Sequence, residues 1–70
     1  MQHLYNHLAS KNVTVKDFED KACIALDNND HFIPFAKNEL MTKYNLSSDC
    51  EIEVGLLLAD ILKRYYTFTK

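Results

Sequence analysis

Seventy residues carrying a net charge of −2, with a sequence pI near 5.8, leave room for one small domain, residues 1–70, which at this size buries only about 60% of its unfolded surface. The charge balance lacks the basic footprint that a phosphate backbone demands, and so argues against nucleic acid as a partner. A chain that is 47% hydrophobic with one glycine and one proline is too apolar for a disordered tail and too poor in turn residues for an all-β protein, which leaves an all-α fold.

No charged-then-apolar leader stands at the amino end, and no apolar run approaches the roughly 18 residues of a membrane span. The two cysteines, Cys23 and Cys50, sit among residues that read as helix and are expected to be small buried hydrophobes rather than a disulfide. A reducing cytoplasm is the expected compartment, with no membrane partner.

The opening MQHLYNHLASKN places Met1, Leu4, Tyr5 and Leu8 at the spacing of a short first helix, ended by the polar Ser10, Lys11 and Asn12. In VTVKDFEDKACIALDNND, Thr14 is an N-cap and Asp17, three residues on, can close a weakened capping box. Val15, Phe18, Ala22, Ala25 and Leu26 then line one face. The second helix should end within Asp27 to Asp30, because Asp and Asn side chains compete for backbone hydrogen bonds and tolerate turn dihedrals.

Pro34 disfavours helix at Ile33 but suits a first helical position, so the third helix is predicted to start near it. Phe35, Leu40, Met41 and Tyr44 mark its buried side, and Asn45 is a left-handed stop that lets Leu46 fold back. Ser48 stands three residues before Glu51, the capping-box spacing, ahead of a long apolar run. The alternation of Cys50, Ile52, Val54 and Leu56 with polar or small residues is also a strand period, but the run continues through LLADILKRYY, whose residues favour helix. The fourth helix should span about Asp49 to Tyr66. Together these make a small four-helix domain, three short helices and a long C-terminal one, orthogonal or bundle-like in packing.

That last helix has more apolar residues than one face can use. Val54, Leu57, Leu58, Ile61, Leu62, Tyr65 and Phe68 gather on one broad face, enough for a core. Asp49, Glu53, Asp60 and Arg64 form a polar stripe, while Ile52, Leu56, Ala59 and Tyr66 lie on another side. Either the helix is central and covered on both sides, or this second stripe is an interface with another protein or a second copy of the chain.

Motifs for chemistry are thin. His3 and His7, four apart, share a helix face but lack a third ligand and the intervening Glu of a zinc hydrolase. Asp27, Asn29 and His31 resemble the start of a calcium loop, yet Phe32 stands where glycine is needed and Asn38 where a bidentate glutamate is needed. No metal and no cofactor is expected. Cys23 paired with a histidine has no oxyanion-stabilising turn, and the single Gly55 lies within a helix, where a close helix approach explains it best. No enzyme is indicated.

A helix, a short turn at Asn45 and Leu46, and a second helix outline a helix-turn-helix, but its leading residues, Ser47 to Glu51, include two acids, with only Lys37 and Lys43 nearby. Asp17, Glu19, Asp20 and Asp27 make helix two a secondary acidic surface for a basic partner. The expected function is therefore non-catalytic binding of another protein as a modulator, inhibitor or adaptor, with the C-terminal helix available to pair two copies of the protein. The alternative is a helix-turn-helix-like DNA-binding regulator. The abundance of Asn, Lys, Ile and Tyr matches an AT-rich genome, and short acidic helical proteins are familiar from phages and plasmids, an association of composition alone.

Overall fold

A computed structural model describes residues 2–65 of the chain. Among them stand four α-helices, α1 (Gln2–Ser10), α2 (Val15–Asn28), α3 (Ile33–Tyr44) and α4 (Glu51–Tyr65), with a 3-10 turn, Ser48–Cys50, leading into the last. No strand occurs among the described residues. No described helix is long and apolar enough to cross a membrane.

Local chemistry explains the boundaries. Thr14 is extended and its Oγ1 accepts the Asp17 N–H at 3.1 Å, satisfying one of the donors that a helix start leaves open. α1 stops where Asn12 turns left-handed, φ 59, and α3 stops at Asn45, φ 52. In both, the next N–H reaches back to the last helical turn, Val13 to the Leu8 carbonyl and Leu46 to the Met41 carbonyl, each at 2.9 Å, which is the bonding of a Schellman end. After α2, Asp30 and His31 are both left-handed, and the His31 N–H bonds the Leu26 carbonyl.

One core runs through all four helices. α1 contributes Leu4 and Leu8, α2 contributes Phe18 and Leu26, α3 contributes Leu40, and α4 contributes Val54, Leu57, Leu58 and Ile61. Each fully buried side chain of this size contributes about 1.5–3 kcal/mol relative to exposure. The ring of Phe18 packs against Tyr44 with centroids 5.3 Å apart, joining α2 to α3. Leu46, folded back as its position after Asn45 requires, is buried beneath the turn. α4 packs against each of the other helices.

Four local expectations are corrected. Val15 is exposed, because the first residue of α2 projects past the core that Phe18 enters. Phe35 is 59% exposed: α3 starts at Ile33 with Pro34 in its first turn, and it is the neighbouring Ala36, with Leu40, that faces inward. Tyr65 is 60% exposed, since the cover given by the shorter helices runs out after the half-buried Leu62. The Ser48–Glu51 capping box gives way to the 3-10 turn, whose N-cap is Ser47 without a side-chain cap bond, and Glu51 instead receives the Lys37 ammonium at 3.0 Å. Phe68 lies outside the described residues.

Candidate functional site: the outer face of the last helix

α4 is covered along one side only. Its inward face, Val54, Leu57, Leu58 and Ile61, is buried. Its flanks are tied by polar contacts. On one side Lys37 of α3 bonds Glu51. On the other, Glu53 accepts the Leu4 N–H at 2.8 Å, and Arg64 holds Asp60 at 2.8 Å and Glu19 of α2 at 3.4 Å. What remains outward is the second apolar stripe: Ile52 is 76% exposed, Leu56 is 57% exposed, and Ala59, about one turn beyond Leu56, is exposed as well. No other described helix covers it. Tyr66, placed on the same stripe by sequence, lies outside the described residues.

Gly55 borders this stripe. A side-chain carbon built there would meet only the Lys37 Cδ, at 3.9 Å, an ordinary contact. A close approach within the chain therefore does not account for the glycine, which corrects that expectation.

The histidines serve as local fastenings. His3 Nδ1 lies 3.1 Å from the Glu53 carboxylate, and His7 Nε2 lies 3.1 Å from the Ser47 hydroxyl, so each engages a different part of the segment around the start of α4. Among the described residues no three His, Cys, Asp or Glu side chains are grouped to hold a metal ion. In the segment that resembles a calcium loop, Asn29 instead ends α2, its side-chain amide donating to the Ala25 carbonyl and to Glu39. His31 lies 3.2 Å from Asp27.

Both cysteines are free thiols. Burial pushes the Cys23 thiol above its ordinary value, helped by Asp20, Asp27 and Glu19, which is the opposite of the electropositive setting that activates a nucleophile. Burial likewise raises Cys50, against a lowering hydrogen bond from Ser47.

The acidic surface of α2 is divided among separate partners. Asp17 sits in the first turn, where its N–H is capped by Thr14. Glu19 meets Arg64, Asp20 meets Lys16 at 3.8 Å, and Asp27 meets His31. At the helix-turn-helix outline, Lys37 is engaged by Glu51, and the exposed residues that open the second helix include Asp49.

A second exposed apolar pair escaped sequence reasoning. Phe32 and Phe35 meet edge to face with centroids 4.8 Å apart at the start of α3, both more than half exposed. The signal for it was present: Phe32 immediately precedes a helix whose inward positions are set by Ile33, Ala36 and Leu40, a spacing that excludes Phe35.

No protein-family model matches the chain, and no match was found among curated proteins or among solved structures.

Proposed function

We propose that the protein is a small non-catalytic binding protein that acts on another protein, as a modulator, inhibitor or adaptor, through the outward face of α4. The observation that carries this is the pair Ile52 and Leu56, successive turns of one helix with most of their side chains in water. Each forgoes much of the roughly 1.5–3 kcal/mol that burial of such a side chain supplies, which a partner would recover. Ala59 adds a small residue beside them, over which another helix can approach closely.

The two free cysteines fit a reducing compartment such as the cytoplasm. The acidic opening of α4 and the engagement of Lys37 weigh against the DNA-binding alternative, since phosphate contacts need uncommitted cations at that position. A salt-dependent gel shift would be the signature of that alternative.

The test is capture by the immobilised chain. Leu56→Glu should abolish capture of the bound protein while the helical circular dichroism signal is kept, because Leu56 is not part of the core. Capture unaffected by Leu56→Glu and by Ile52→Glu would refute the assignment of this face.

A further inference from the structure

The outer face of α4 has a regular spacing. Asp49, in the 3-10 turn that leads into α4, and Ile52, Leu56, Ala59 and Lys63 of α4 follow one another at intervals of three, four, three and four residues, and all five are exposed. This is the 3.5-residue repeat with which one helix faces another along its length. The middle of the seam is apolar and its two ends carry opposite charge. Neither Asp49 nor Lys63 belongs to an ion pair among the described residues, unlike Glu51, Asp60 and Arg64 beside them.

We infer, resting on the proposal that this face binds protein, that in the absence of its target the face is closed by a second copy of the same chain, with the two α4 helices packed antiparallel about a two-fold axis near Leu56 and Ala59, so that target and copy compete for it. A two-fold interface must be complementary to itself, and the seam is. Antiparallel packing sets the Leu56 side chain of each copy over the small Ala59 of the other. It also brings each Lys63 to the Asp49 end of its neighbour, within reach of the flexible lysine stem, so that two charge pairs close the seam. Parallel packing would put Asp49 against Asp49 and Lys63 against Lys63, and would align the helix dipoles unfavourably.

Gly55 supplies an independent observation. A glycine inside a helix costs about 0.8–1.0 kcal/mol relative to alanine, and the space at Gly55 would accept a side-chain carbon. The fold gains nothing from its absence. Gly55 and Ala59, one turn apart beside the seam, form instead the small-residue pair that lets a second backbone come close.

The experiment is sedimentation of the purified full chain over a wide concentration range, with charge reversals at the seam. The chain should be a dimer, and Leu56→Glu should be a monomer of unchanged helicity. Lys63→Glu and Asp49→Lys should each weaken the dimer by about tenfold, since both symmetric pairs become like-charged. The double variant Asp49→Lys with Lys63→Glu should recover the original affinity, because its pairs are again opposite in sign.

A wild-type chain that stays monomeric throughout overturns the inference. If such a monomer still captures a foreign protein through Leu56, the binding proposal stands without it; if it captures none, both fall. A dimer that survives Leu56→Glu forms through another face, and one indifferent to both single reversals is not antiparallel in this register. Either result overturns the inference too.

Discussion

The carboxylate of Glu53 accepts the backbone N–H of Leu4 at 2.8 Å, across forty-nine residues of sequence, and thereby fastens the first helix to the last. That N–H lies in the first turn of α1, where no helical carbonyl is available to it. A carboxylate there also completes the favourable end of the helix dipole. The same side chain reaches His3 at 3.1 Å, so a single glutamate secures the start of α1.

Acid should loosen this attachment. The Leu4 N–H is the main cause that holds the Glu53 carboxyl below its ordinary value; burial opposes it, and His3 adds to the lowering. A depressed folded-state pKa stabilises the fold above the unfolded glutamate value of about 4.3, and that contribution is lost as pH falls through the lower folded value. Glu53→Gln should therefore be less stable than the parent at neutral pH, and the difference should vanish in acid. Thermal melts of the two proteins from neutral pH to about pH 3 check this; a difference that grows with acidity would refute it.

Asn45 ends α3 in the left-handed region, φ 52. A β-carbon there without a compensating polar group is strained by about 1–2 kcal/mol, whereas glycine adopts the conformation freely. Asn45→Ala should destabilise by about 1 kcal/mol, and Asn45→Gly should be neutral or slightly stabilising. Urea midpoints of the three proteins decide it, and an alanine variant as stable as the glycine one would show that the turn is not constrained.

Gly55→Ala should raise the stability of the isolated chain by about 0.5–1 kcal/mol. The added carbon meets only the Lys37 stem, at 3.9 Å, which can yield. Urea unfolding at low chain concentration, where self-association is absent, measures the change. A loss of stability would mean that α3 and α4 approach more closely than this contact shows.

The features legible in the residues alone are local ones. Thr14 and Asn45 fix helix ends through hydrogen bonds and dihedrals settled within a few residues of themselves, and the inward row Val54, Leu57, Leu58 and Ile61 follows from helical period alone. The structure departs from local pattern where that pattern competes with a neighbour's position. Phe35 reads as core by hydrophobicity, but Ala36 takes the inward place, and Ser48 yields its capping role to a 3-10 turn as Glu51 finds Lys37 instead.

Which of the two apolar faces of α4 is covered follows from the packing of the helices, not from their order in the chain. Period says that Ile52, Leu56 and Ala59 share a side. It does not say where three short helices will lie, and that depends on contacts between residues far apart in the chain, such as Glu53 with Leu4 and Arg64 with Glu19. Those contacts draw α1 and α2 to the same broad side as α3, so the stripe of Ile52 and Leu56 is left in water because the chain has no fifth helix among its described residues to lay over it.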